Sequence, residues 1–334
     1  MPVHVYNHQE TKFNNNQNSK TMKTSNMFRL TFLVMAILGL SFAGCKKDKI
    51  TETYPNSVSL QQLSGDQESM ESAMDESMND VNNYLSGGNL KSTNLLPCNA
   101  TIDSTPVVHD TITFYITYNG LNCSGTRFRT GKVEIKKQVG THWYQQGAMV
   151  TIRHINFTIT KVSNQDSITL NGVKVYKNLT GGIIWQVGNG IDQLVHSISG
   201  QVTVTFNTGT TQTSRTWNVA RLRTFTGTAP NNLTMTINGF GTADGFQNLL
   251  LWGTSRAGEM FYTEIIEPVV HRQVCEWNPC AGIKKHSVPS ESKSATITFG
   301  YDSHDNPITG DACPAKFKVD WQKNNHSGTI YLVL

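Results

Sequence analysis

Thr111-Ile112-Thr113-Phe114-Tyr115-Ile116-Thr117 alternates with a period of two. Ile112, Phe114 and Ile116 fall on one side of an extended chain and the threonines on the other. The same alternation returns in Lys132-Val133-Glu134-Ile135-Lys136, in Gln201-Val202-Thr203-Val204-Thr205-Phe206 and in Lys316-Phe317-Lys318-Val319-Asp320-Trp321. One apolar and one polar face per strand is the pattern of antiparallel sheets, whereas doubly covered parallel strands read as continuous apolar runs. Asn119-Gly120, Asn171-Gly172, Asn189-Gly190 and Asn238-Gly239 read as tight turns, because both residues accept positive φ. On this reading Ser167–Leu170 and Val173–Tyr176 form a two-residue hairpin about Asn171-Gly172. The expected fold is mainly β: an antiparallel meander of ten or more strands over residues 93–334, forming a sandwich or a strongly curved sheet.

Upstream of the strands the period changes. Met70, Met74, Met78, Val81 and Leu85 recur at steps of four and three, which places them on one helical face. Asp66, Glu68, Glu71, Asp75, Glu76 and Asp80 fill the other positions, and Gly87-Gly88 supplies a stop. This predicts one short amphipathic helix over about 66–85, within a polar tether spanning 45–92. Its acidity argues against lying on an anionic membrane.

Further upstream is an export signal, expected over residues 22–44. Lys23 and Arg29 precede an apolar run from Leu30 to Ala43, 14 residues long. As a helix that run is roughly 21 Å, short of the about 20 residues that span a bilayer. Phe42-Ala43-Gly44-Cys45 then resembles a lipobox, with small residues before an obligatory cysteine, although Phe42 stands where Leu is commoner. Cys45 is therefore the expected lipidation site, and the membrane is the expected partner through two or three acyl chains. Lys46-Lys47-Asp48-Lys49 only partly resembles a surface-export signal. The expected address is the cell envelope, at the outer membrane, with the periplasmic and surface faces both open. Residues 1–21 are polar and Asn-rich and lie outside this scheme; Met22 or Met27 offers a conventional start.

Residues 45–334 hold 24 basic and 23 acidic residues, after four basic and one acidic residue are removed with the leader. The pI of 8.6 thus owes much to the leader and gives no reason to expect nucleic acid. Only 16% of the chain is charged, and the wealth of Thr, Ser, Asn and Gly suits an exported β protein. Besides Cys45 there are Cys98, Cys123, Cys275, Cys280 and Cys313, which in an oxidising compartment become disulfides. Cys98–Cys123 is the expected first pair, and one of Cys275 or Cys280 joins Cys313. Cys275 and Cys280 alone do not make a zinc site, lacking a second pair or a histidine at ligand spacing.

Two stretches resemble one another and suggest a pseudo-repeat, 97–135 and 279–320. Each runs cysteine, Thr-Ile-Thr-Phe strand, cysteine, strand, beginning at Pro97-Cys98 and Pro279-Cys280. If the copies correspond, Cys280 is the partner of Cys313.

The lipobox with Lys46-Lys47-Asp48 carries a resemblance, as do the cysteine ahead of the Ile-Thr-Phe strand and Cys123-Ser124-Gly125-Thr126-Arg127-Phe128-Arg129-Thr130-Gly131-Lys132-Val133. Ser214-Arg215-Thr216-Trp217 with Arg221 and Arg223, and the final cysteine with its closing strands, extend it. Together they resemble a group of β-rich lipoproteins of Bacteroidota with no known biochemical function. The resemblance implies fold and location, and it implies Cys275 as the partner of Cys313. It conflicts there with the repeat, so the pairing stays open.

No phosphate-binding loop, Gly-x-Ser-x-Gly elbow or His-Glu-x-x-His helix is present. Ser255, between Gly253 and Gly258, reads as a turn residue. Asp302, Asp305, Asn306 and Asp311 make an oxygen-rich loop without the EF-hand order. Glu259, Glu264 and Glu267 could supply glycosidase carboxylates, but nothing in the sequence shows two of them facing each other. The eight histidines after Cys45 read as scattered strand or loop positions. Trp143, Tyr144, Trp185, Trp217, Trp252 and Trp277 are expected mostly in the core, while exposed ones on a sheet could stack on sugar rings. Asp103-Ser104-Thr105, Asp110-Thr111-Ile112 and Asp166-Ser167-Ile168 resemble a short O-glycosylation pattern that fits an envelope location. No catalytic, metal or cofactor residue is assigned. The expected function is a non-catalytic envelope lipoprotein that binds or scaffolds a glycan or an envelope protein. The alternatives are a lipid or lipoprotein carrier built on a concave sheet, and an unrecognised hydrolase.

Overall fold

In a computed structural model, residues 55–87, 97–209 and 211–334 are described, with side chains from Val58 onward. The chain opens with one helix, α1 (Pro55–Gly87), which begins 11 residues earlier than the methionine spacing predicts. Leu60 and Leu63 prolong the apolar seam of Met70, Met74, Met78 and Val81, and all six are essentially inaccessible; Leu85 is half-buried.

The strands follow in chain order: β1 (Ala100–Ser104), β2 (Thr111–Leu121), β3 (Arg127–Gln138), β4 (Met149–Lys161), β5 (Ser167–Asn178), β6 (Leu194–Thr208) and β7 (Thr211–Thr228). Then come β8 (Asn232–Gly239), β9 (Gly241–Ala243), β10 (Phe246–Thr254), β11 (Met260–Arg272), β12 (Pro279–Val288), β13 (Lys293–Tyr301), β14 (Lys316–Lys323) and β15 (His326–Val333). They form one 15-stranded antiparallel meander. Its single irregularity in order lies at the middle, where β8 and β10 share the space between β7 and β11. Arg221–Thr228 of β7 and Val269–Arg272 of β11 pair with β8, while Trp217–Val219 and Met260–Glu264 pair with β10. Among the described residues β1 pairs only with β2 and β15 only with β14, so the described sheet is open.

The helix crosses this sheet transversely. Its partners move from Lys293 of β13 at Ser59, through Thr263 of β11 at Gln67, Arg221 of β7 at Asp75 and His154 of β4 at Ser77, to Tyr118 of β2 at Asp80. Ser59 to Asp80 spans about 32 Å of helix, whereas β13 and β2 of a flat sheet would stand about 43 Å apart. The sheet therefore curves around α1, and of residues 58–87 only Val58 and Gln62 are exposed.

Two glycines show how closely neighbouring strands approach in this sheet. Gly172 of β5 (φ 137°) pairs with Val202, and Gly200 of β6 (φ 148°) pairs with Lys174. A Cβ on either would lie 2.4 Å from a neighbouring carbonyl oxygen, a close approach that only glycine tolerates. The hairpin expected at Asn171-Gly172 is thus a continuous strand, β5. Asn171 uses its Oδ1 to accept the Asn156 N–H at an irregularity in β4. Asn119-Gly120 likewise lies inside β2, and Asn238-Gly239 closes β8. Asn189-Gly190 occupies a turn. The dipeptide permits positive φ, and tertiary packing decides whether that becomes a turn or a close strand contact.

Candidate functional site

Asp66, Glu71 and Asp75, on the acidic face of α1, are buried. Each faces a base supplied by a different strand or turn. Arg256, from the β10–β11 turn, holds Asp66 with both guanidinium ends, at 2.8 and 2.6 Å. Lys284 of β12 reaches Glu68 and Glu71. Arg221 of β7 donates to Asp75 at 2.9 Å, and Arg223 donates to Asn79. Arg129 of β3 lies 3.1 Å from both Glu76 and Asp80. A seam of bases thus runs across the strands, and α1 carries the complementary acids. Such pairs compensate a desolvation cost that neither charge could meet alone.

The protonation states follow from burial. Desolvation raises Asp66 to about 6 despite Arg256, Glu68 to about 7 despite Lys284 and Asp80 to about 7 despite Arg129. Burial would also raise Asp75, but Arg221 and Arg223 outweigh it and hold the carboxyl below its usual range. His154, His196 and His286 are pushed well below the ordinary imidazole value by burial, each reinforced by a neighbouring cation. Lys174 of β5, wholly buried beside Gly200, is lowered to about 7 by desolvation and then by Arg221. Its Nζ has no hydrogen-bond partner among the described residues. Four of the histidines, His154, His196, His271 and His286, are buried, each on a different strand.

At one end of the sheet the loops carry an exposed aromatic pair. Trp143, in the β3–β4 loop, turns inward against Tyr176 and His196, with ring centroids 4.7 and 5.1 Å away. Its Nε1 donates to Asn82 of α1. His142 and Tyr144, its chain neighbours, face outward and stack on each other at 5.1 Å with an interplanar angle of 11°. Buried Asn178 ties this loop to the next one: its side chain donates to the carbonyls of Trp143 and Gly182 and accepts the Gly181 N–H. Gly182 N–H in turn donates to Tyr144 O at 2.7 Å. Tyr144 is 55% exposed, and Trp185 in the adjoining loop is 39% exposed. Beside them lies an open groove of about 650 Å³, lined by Lys136, Lys137, Gln138, Thr141, Gln146 and Thr151 among others.

No known family model, curated protein or solved structure matches this chain. Cys98 is joined to Cys123, and Cys275 to Cys313, while buried Cys280 keeps a free thiol. This corrects the repeat-based pairing of Cys280 with Cys313. Cys280 is instead the second residue of β12, and its Sγ lies 3.2 Å from the Asn278 carbonyl. Cys45 lies outside the described residues.

Ser255 sits in the β10–β11 turn. Glu259 is engaged by Lys293 at 2.6 Å, and Glu267 is exposed. Asp302 accepts the backbone N–H groups of His304 and Asn306, Asp305 pairs with Lys316, and Asp311 pairs with Arg272. Among the described residues no group of three or more His, Cys, Asp or Glu side chains could hold a metal. Trp143 and Trp217 are core residues, whereas Tyr144 and Trp185 are not. Sequence reading missed Asn178, which has no local signature because its role depends on bringing two loops together.

Proposed function

We infer that this protein is a lipid-anchored cell-envelope lipoprotein with a non-catalytic role in binding or scaffolding. The observation that carries the reading is the locking of α1 into the sheet by buried ion pairs, starting a short stretch after Cys45. Nine residues lie between Cys45 and Pro55, a reach of at most about 35 Å. An acyl anchor on Cys45 would hold the β domain close to the bilayer, through an element that cannot leave without exposing several unpaired charges. A carrier needs an apolar hollow, but the inner face is occupied by α1 and carries Arg129, Lys174, Arg221, Arg223 and Lys284. Hydrolase chemistry needs convergent free polar groups, and Glu259 is committed to Lys293.

The test is metabolic labelling with a palmitate analogue, comparing wild type with Cys45→Ala, together with membrane fractionation. Label and membrane association are expected in the wild type and absent from the variant. Equal label in both would overturn the reading.

A further inference from the structure

We propose that the interior of the sheet binds one small inorganic anion, a halide such as chloride, between Lys174 of β5 and Arg221 of β7. The inference goes beyond the envelope role and does not depend on it. Lys174, Arg221 and Arg223 are all wholly inaccessible. Yet Lys174 Nζ, Arg221 Nε and Nη1, and Arg223 Nη1 have no hydrogen-bond partner among the described residues. Bare buried donors are costly, charged ones most of all, so these groups call for an acceptor from outside the chain. The register brings the two key bases together. Val173 and Val175 are exposed, so Lys174 between them points inward. It pairs with Gly200 of β6, and Gly200 pairs with Val219 of β7, two residues from Arg221. Lys174 Cγ passes 3.3 Å from the place that a Cβ on Gly200 would take, so the lysine lies beside a position that offers no side chain. Arg221 is the charge that acts on Lys174, and Lys174 acts in turn on His154 of β4.

The charges of this interior fail to balance by one. Lys174, Arg221, Arg223 and Lys284 are four cations, and Glu68, Glu71 and Asp75 of α1 are the three carboxylates that act on them. Lys284 takes both glutamates. Asp75 bonds Arg221 and lies 3.9 Å from Arg223. No described carboxylate acts on Lys174. The histidines add no charge at pH 7, since burial lowers His154, His196, His271 and His286 below the ordinary imidazole value. Water can accept from the bare donors, but it leaves the excess positive charge in a medium that solvates it poorly. A monovalent anion accepts from the same donors and removes the excess. Full burial and the close strand approach at Gly200 favour a monoatomic ion over a polyatomic one.

The experiment uses the full chain purified in detergent. Urea unfolding is followed at pH 7 while sodium gluconate is replaced stepwise by sodium bromide at constant ionic strength, and wild-type crystals grown in bromide are searched for anomalous scattering. Above its dissociation constant, each tenfold rise in bromide should raise the folding constant tenfold, as a single site requires. The anomalous peak is expected beside Lys174 Nζ. Lys174→Met, neutral and of similar length, should lose the bromide dependence and be at least as stable as the wild type in gluconate. Water alone at the site, seen as no anomalous peak there, would overturn the proposal. Equal wild-type midpoints in gluconate and bromide would do the same, as would a bromide dependence that survives in Lys174→Met. The peak is read on the wild type, so the test stands even where the variant does not fold. Palmitate labelling of Cys45 is read independently, so failure here and failure of the anchoring are distinguishable.

Discussion

Arg221 Nη2 donates to Asp75 Oδ2 at 2.9 Å across 146 residues of sequence, and the arginine side chain is wholly inaccessible. This contact joins the middle of α1 to the middle of the sheet, and Arg223 adds its charge 3.9 Å from the other oxygen of Asp75.

Removing one partner leaves an uncompensated buried charge. Asp75→Ala should cost about 3–5 kcal/mol, read as a lower urea midpoint at pH 7. The double variant Asp75→Leu/Arg221→Met should recover most of that loss, because the penalty comes from the stranded charge. A double variant as unstable as Asp75→Ala would refute this account.

Lys174 is held near 7 in the folded chain against 10.5 as its ordinary value. Between those limits the unfolded chain binds more protons, so the contribution of Lys174 to stability rises with pH from 7 to 10.5 and is smallest below 7. Lys174→Met removes that dependence. Urea midpoints of the variant should exceed wild type at pH 6–7 and converge with it towards pH 10.

Glu68 titrates the other way. Its folded value of about 7 lies above the ordinary 4.5, so the folded chain keeps a proton that the unfolded chain has released. Its contribution therefore grows as pH falls from 7 to 4.5. The lowered histidines oppose this, losing stability below the ordinary imidazole value of 6.5. Comparing wild type with Glu68→Gln isolates the carboxyl: the gain in midpoint on acidification should be smaller in the variant.

The disulfides permit a chemical count. With Cys98–Cys123 and Cys275–Cys313 closed, the denatured, unreduced mature protein should release one equivalent of thiol from Cys280 if Cys45 is acylated. Cys45 left unmodified would give two. Reducing Cys98–Cys123, which spans 25 residues, should cost about 3.5 kcal/mol in the chain-entropy model.

Much of this architecture was legible locally. The alternation at 111–117, 132–136, 201–206 and 316–321 marks strands, because side-chain direction in an extended chain depends only on residue parity. The methionine spacing marks the helix for the corresponding reason. The lipobox is likewise a linear signal, and its consequence remains a proposal about Cys45.

Tertiary structure alone decided what the charges mean. The acids of α1 look like a solvated face when read by period, since sequence does not show which strand will bring Arg221 or Lys284 opposite them. Asn171-Gly172 shows the same limit, its turn chemistry serving a close strand contact instead. Cys275 rather than Cys280 meets Cys313 because the 3₁₀ turn Gln273–Cys275 ahead of β12 brings it there. Local propensity depends on neighbours along the chain, whereas ion pairing, disulfide choice and the joining of the loops at Tyr144 depend on distances that exist only once the sheet has curved around its helix.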